Sequence, residues 1–291
     1  MTVDLAVCAR TDAGFVRPAN EDAFVIADLT SGCVISDPHA SSRHLEVGQR
    51  GVLLAVSDGL GGHAAGEVAS ALVVESMRQS LSRSIPSEPA EVDELVAEAA
   101  QRANQLVWEA AAQRPGCQRM GATLTAVFVH GGFAHIAEVG DSRAYLLRDQ
   151  AIEQITHDQS YLQLLIDRGV PPWEARRSPH SGDVLQAMGV RPHVTVALER
   201  LALRRGDCLI LCSDGLSSKV VDAELRAAVQ WARELDAACE RMIDLALERG
   251  GDDNITAIVA GVSGDLPPVN AGERIADTLQ IVQAFRVDGA R

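Results

Sequence analysis

Short apolar runs separated by Gly- and Asp-rich turns punctuate the chain at residues 51–56, 122–129, 134–139, 208–212 and 255–262. Runs of this length, bounded by turn residues, predict buried strands. Between them, residues 64–83, 88–113 and 235–249 repeat apolar side chains at helical spacing. In the second stretch Val92, Leu95, Val96, Ala99, Ala103, Leu106 and Val107 share one face, as an amphipathic helix requires. Pro86 and Pro89 separate it from the first. His130-Gly131-Gly132 stands between two of the apolar runs and reads as a hairpin turn rather than a helical crossover. That pattern favours antiparallel sheets covered by helices.

No shift in composition divides the core, but three segments depart from it. Residues 29–50 are polar and broken, which predicts a surface loop. Residues 157–188 carry a short helical pattern, Pro171-Pro172 and many charges, which predicts a flap. Residues 263–291 read as a tail whose last part forms a helix.

At 291 residues and 47% hydrophobic, the chain can bury a sizeable core, and with only 3% aromatics that core is built from Ala, Val, Leu and Ile. A formal charge of −14 opposes binding to nucleic acid or to an anionic membrane, which need a cationic face. The same acidity suits phosphate chemistry only where bound cations reverse the local field. Cys8, Cys33, Cys117, Cys208, Cys212 and Cys239 lack zinc spacing and read as reduced thiols, mostly buried. With no signal-peptide pattern and no apolar run of membrane-spanning length, the expectation is a cytosolic protein.

The chemistry concentrates at strand ends. Leu54-Ala-Val-Ser-Asp58-Gly-Leu60 and Leu211-Cys-Ser-Asp214-Gly-Leu216 each run an apolar strand into an Asp-Gly turn. Asp141 follows one strand, Asp253 precedes another, and Arg17 with Asn20-Glu21-Asp22 adds a cation and two carboxylates. One Asp-Gly pair is an ordinary turn. Several carboxylates converging at one sheet edge repel one another unless cations bind between them, and hard oxygen donors favour Mg²⁺ or Mn²⁺ over zinc. Two such ions can activate a water for in-line attack on phosphorus, so no protein nucleophile is needed.

The combination resembles the protein phosphatase 2C family, in particular its bacterial members, over roughly residues 10–262. The markers are Arg17 with Asn20-Glu21-Asp22, Ser57-Asp58-Gly59-Leu60-Gly61-Gly62-His63, Met120-Gly121-Ala122-Thr123, Gly140-Asp141-Ser142-Arg143, Ser213-Asp214-Gly215-Leu216 and Asp253-Asn254. The resemblance implies an α+β fold, a four-layer α-β-β-α sandwich of two antiparallel sheets flanked by helices. It implies a catalytic domain over residues 1–262, followed by the tail. It implies that Asp58 bridges two Mn²⁺ or Mg²⁺ ions, that the Gly59 carbonyl ligates one, and that Asp214 and Asp253 complete the other's shell. Glu21 and Asp22 would act through metal-bound waters, and Asp141 with Asp214 would form a labile third position. Arg17 would bind the substrate phosphate and His63 is a candidate acid for the leaving group. The implied partners are phosphoproteins, a Ser/Thr kinase and its substrates among them, acted on by a monomer. Gln186 and Gly182 depart from the Arg and polar residue that many relatives carry in the flap, which directs attention to substrate choice there.

Other readings fit less well. Gly59-x-Gly61-x-x-Ala64 matches a relaxed dinucleotide fingerprint, but Asp58 would set a carboxylate beside a pyrophosphate. No cysteine is followed by the phosphate loop and Arg that thiolate phosphatases use, and the single lysine, Lys219, follows Ser218 rather than a Gly-rich loop. An inactive phosphatase-like binding module remains an alternative that metal-dependent turnover would exclude.

Overall fold

The protein is described by a computed structural model covering residues 2–61, 64–85, 88–113 and 120–287. In chain order its first half contains β1 (Val3–Asp12), β2 (Ala23–Asp28), β3 (Cys33–Ile35), β4 (Arg43–Glu46), β5 (Val52–Ser57), β6 (Gly59–Leu60), α1 (Ala64–Leu81), α2 (Pro89–Gln113), β7 (Gly121–Ala122), β8 (Leu124–His130), β9 (Phe133–Val139), β10 (Arg143–Arg148) and β11 (Ala151–Gln154). There follow α3 (Tyr161–Asp167), α4 (Pro172–Ala175), β12 (Ala197–Ala202), β13 (Cys208–Cys212), α5 (Asp214–Ser217), α6 (Asp222–Trp231), α7 (Leu235–Glu248), β14 (Ile255–Gly264), a 3₁₀ turn (Ile275–Asp277) and β15 (Leu279–Gln283).

Two sheets dominate, in the orders β11-β10-β13-β14-β1-β4 and β15-β12-β9-β8-β5-β2-β3, with every neighbouring pair antiparallel. Strand β5 shows why the central strands read as unbroken apolar runs. Val52, Leu54 and Val56 face the other sheet, whereas Leu53 and Ala55 face α1 and α2. Strands covered on both faces lose the alternation that marks a half-exposed strand. Three apolar layers result: α1 and α2 against the seven-stranded sheet, the sheets against each other through Leu5, Ile26, Leu54 and Ile258, and α6 and α7 against the six-stranded sheet through Leu225, Met242 and Ile210. This is the expected four-layer α-β-β-α sandwich. The hairpin also forms as expected, with Gly131 at a left-handed φ of 58° between β8 and β9.

Two local expectations are corrected. Residues 29–50 are not a plain loop, because β3 pairs with β2 and β4 pairs with β1, one at the edge of each sheet. Only Ile35 and Leu45 of these strands are buried, too few to register as a pattern, and polar short strands are typical of sheet edges. The last part of the tail forms no helix within the described residues, since Leu279–Gln283 is a strand paired with β12. Four of its five residues are exposed, so backbone pairing rather than an apolar face fixes its structure. Strands β1, β2, β10, β11 and β12 and helix α6 add elements to those read from the sequence.

Residues 157–188 form a helical excursion tied down at both ends. Tyr161 N donates to Asp183 O at 2.8 Å, Leu185 N to Gln159 O at 2.7 Å and Met188 N to Ala122 O at 2.8 Å. Among the described residues five cysteines are unbridged, and Cys33 alone of them is not buried. Cys117 lies outside the described residues.

Candidate metal centre

The strand pairings bring the acidic turns to one edge of the sandwich. Ala23 pairs with Ser57, so Asp22 and Asp58 leave adjacent strands side by side. Cys212 pairs with Ala257, which sets Asp214 near Asp253 at the matching end of the other sheet. Asp141 enters at the turn from β9 to β10. Arg17, Glu21, Asp58, Gly59, Asp214 and Asp253 line one cavity of about 340 Å³. Asp22 and Asp141 are outside its lining but close enough to repel its carboxylates. His63 lies outside the described residues.

Hydroxyl groups that the sequence reading gave no role hold the acids in place. Ser213 Oγ and Thr256 Oγ1 donate to Asp22 Oδ2 at 2.7 and 2.6 Å. Thr123 Oγ1 accepts from Asp58 N at 2.9 Å, while Thr123 N donates to Asp58 O at 2.8 Å and Ser57 Oγ donates to Thr123 O at 2.6 Å. Asn254 joins two loops: its Oδ1 accepts from Glu21 N at 2.8 Å, and its Nδ2 donates to Ala13 O and Ala19 O. The available signal was a hydroxyl residue directly before each Asp-Gly turn, and Thr123 and Thr256 near the start of strands. Gln186 is also engaged: its Nε2 donates to Gln159 Oε1 at 2.7 Å, and the same oxygen accepts from Gly140 N at 2.9 Å. The excursion is thereby linked to the turn that carries Asp141.

The electrostatics call for positive charge. Burial of the carboxyl pushes Asp22 up to about 7, and the charges of Asp214 and Asp253 add to this against hydrogen bonds from Thr256 and Ser213. Burial and the charge of Asp214 push Asp141 up to about 8. Asp58 and Asp214 are raised as well, first by burial and then by neighbouring carboxylates, and the two are within hydrogen-bonding reach of each other. Asp22 Oδ1 and Asp214 Oδ1 are enclosed with no hydrogen-bond partner among the described residues. Among the described residues Arg17 is the cation at the cavity, half-exposed and bonded through Nη2 to Asp253 Oδ2 at 2.6 Å.

Donor chemistry and charge therefore fit hard divalent cations: oxygen ligands, enclosed lone pairs and mutual repulsion that only cations or protons relieve. Among the described residues no three acidic side chains converge at finished metal-ligand spacing. The acids ring a cavity, and closing a shell takes side-chain adjustment or bridging water.

A four-layer sandwich with carboxylates gathered at one edge of two antiparallel sheets defines the architecture of the metal-dependent phosphatases. The chain belongs to the protein phosphatase 2C family, whose sequence profile matches residues 27–255. Serine/threonine protein phosphatase PstP of Mycobacterium tuberculosis is 37% identical over 289 residues, covering 97% of this chain and 50% of that protein. The chain thus spans about half the length of PstP. Serine/threonine phosphatase Stp of Listeria innocua is 31% identical over 252 residues, covering 86% of this chain and 93% of the relative. The solved catalytic domain of PstP in complex with two manganese ions superimposes with a TM-score of 0.72 at 34% identity, covering 90% of this chain and all of that one.

Proposed function

We propose that the protein hydrolyses phosphoserine and phosphothreonine monoesters in proteins, using Mn²⁺ or Mg²⁺ held by the carboxylate cluster. The observation that carries this reading is the shared cavity in which Asp58, Asp214 and Asp253 face Arg17, with oxygens of Asp22 and Asp214 enclosed and, among the described residues, without a hydrogen-bond partner. Asp58, the Gly59 carbonyl, Asp214 and Asp253 are the residues that would hold a core pair of ions. Asp141 with Asp214 would hold a labile third, and Glu21 and Asp22 would act through water. Such ions, when bound, lower the pKa of a water and stabilise charge on the phosphoryl oxygens.

The chain's own groups do the rest. Arg17 is kept charged and anchored at the cavity by Asp253, and its planar fork suits two phosphate oxygens at once. Ser213, Thr256 and Thr123 hold Asp22 and Asp58 against the repulsion of their neighbours. His63 is the candidate donor of a proton to the departing serine or threonine oxygen. The balance is one water consumed, the ester P–O bond broken, and free hydroxyl and inorganic phosphate released.

The catalytic domain is assigned to residues 1–262 together with the segment through β15, which completes its seven-stranded sheet, with 157–188 as its flap, and the partners as cytosolic phosphoproteins opposed by a Ser/Thr kinase. Among the described residues no helix is long and apolar enough to cross a membrane. The test is turnover of a phosphothreonine peptide with and without Mn²⁺. Asp58→Asn should keep the wild-type circular dichroism and lose about a thousandfold in kcat, equivalent to about 4 kcal/mol of transition-state stabilisation. Full activity after exhaustive chelation would reject the metal mechanism, and a folded wild type with no turnover would leave a binding module.

A further inference from the structure

A second cavity, of about 450 Å³, opens beside the acidic one, and Leu60 belongs to the wall of both. The helical excursion supplies another shared wall, since Gly182 borders the acidic cavity while Val184 and Leu185 line its neighbour. The last described residues, Phe285, Arg286 and Val287, also line this second cavity. They are delivered there by β15, which pairs with β12 and is pinned where Gln283 Nε2 donates to Val196 O at 2.9 Å.

Its charge runs against the rest of the molecule. In a chain of net charge −14, the lining of this cavity includes Arg191, Arg286 and His193 and, among the described residues, no Asp or Glu. Both arginines are exposed, and among the described residues neither is held by an ion pair. Beside them lie Leu60, Val190 and Phe285, an apolar strip of which Val190 is 52% exposed. Unpaired guanidinium groups next to a reaction site steer and register carboxylates.

We propose that this groove seats the residues flanking the phosphorylated side chain and selects substrates that carry acidic residues there, with Arg191 and Arg286 as the selecting groups. The proposal rests on the phosphatase reading above. The segment after β15 is then part of the substrate site, and Phe285 with Leu60 forms the apolar bed along which the peptide lies.

The experiment uses the full chain with Mn²⁺ and two phosphothreonine peptides that differ only in Asp or Lys on either side of the phosphorylated residue. Wild type should favour the Asp peptide by about tenfold in kcat/KM, as expected for a few exposed charge pairs. In Arg191→Glu/Arg286→Glu the preference should reverse, and a chain ending at Gln283 should keep only about a third of it. Turnover of p-nitrophenyl phosphate by each protein normalises for folding and metal loading. Equal selectivity in wild type and the double variant overturns the groove. A wild type that fails on p-nitrophenyl phosphate as well removes the phosphatase reading, and the groove with it.

Discussion

Gly59 and Gly215 occupy the same place in the two Ser-Asp-Gly-Leu strand ends, and neither has a positive φ. Space, not backbone freedom, requires them. A Cβ at Gly215 would press into the Asn254 carbonyl, and one at Gly59 would meet the Gly66 carbonyl and stand 2.6 Å from Glu21 O. These are backbone atoms that cannot rotate away, so Gly215→Ala should cost about 1–3 kcal/mol in urea denaturation and reduce turnover by displacing Asp253. Gly182 borders the same cavity with nothing within 4 Å of an added Cβ. Gly182→Ala should therefore stay within about 0.5 kcal/mol of wild type. A Gly215→Ala protein as stable as Gly182→Ala would refute the steric account. At this scale the acids were legible because an Asp-Gly turn after an apolar run is a local pattern. The hydroxyls of Ser213 and Thr256 that hold Asp22 were not, since that contact joins residues about two hundred positions apart.

Among the elements, β9 and β12 carry the feature least visible in the sequence. Their register sets Ala197 opposite Glu138, which places Glu138 and Glu199 on the face between the sheets, where Ile136 and Leu201 also lie. Glu138 Oε1 and Glu199 Oε2 are enclosed without a hydrogen-bond partner among the described residues. Burial pushes Glu199 up to about 8, and burial with the charge of Glu199 holds Glu138 well above the usual carboxylate range. Folded Glu199 thus keeps a proton that the unfolded chain releases near its ordinary 4.5. The folded state binds more protons between those values, so its stability falls as pH rises through the window. Glu199→Gln, which cannot ionise, should match wild type near pH 5 and exceed it by about 2–4 kcal/mol near pH 8. Thermal unfolding of both proteins across that range checks this, and parallel curves would remove the explanation. Apolar runs reveal a strand, but the face on which a lone acid lands depends on register.

At the scale of the whole molecule, β15 turns the supposed tail into part of the sandwich. It covers the edge of β12, while Arg204 pairs with Glu273 and Arg148 Nη1 donates to Thr278 Oγ1 at 2.6 Å just before it. A chain ending at residue 278 would uncover that edge, and exposed edges template aggregation. Its Tm should fall by about 4–8 °C, the equivalent of about 2 kcal/mol at this chain length, with more light scattering on heating. A chain ending at Gln283 keeps the strand and should melt with wild type. Unchanged melting of the shorter chain would mean that β15 contributes only to the groove. The sequence by itself determined the central strands, the three long helices and the set of acids at strand ends, because burial and turn chemistry are written over a few consecutive residues. Only the tertiary structure decided which acids share a cavity, that the edge strands and β15 exist, and that two exposed arginines stand beside the site. Those features arise where segments distant in the chain meet, through backbone pairing and charge, which leave no local period to read.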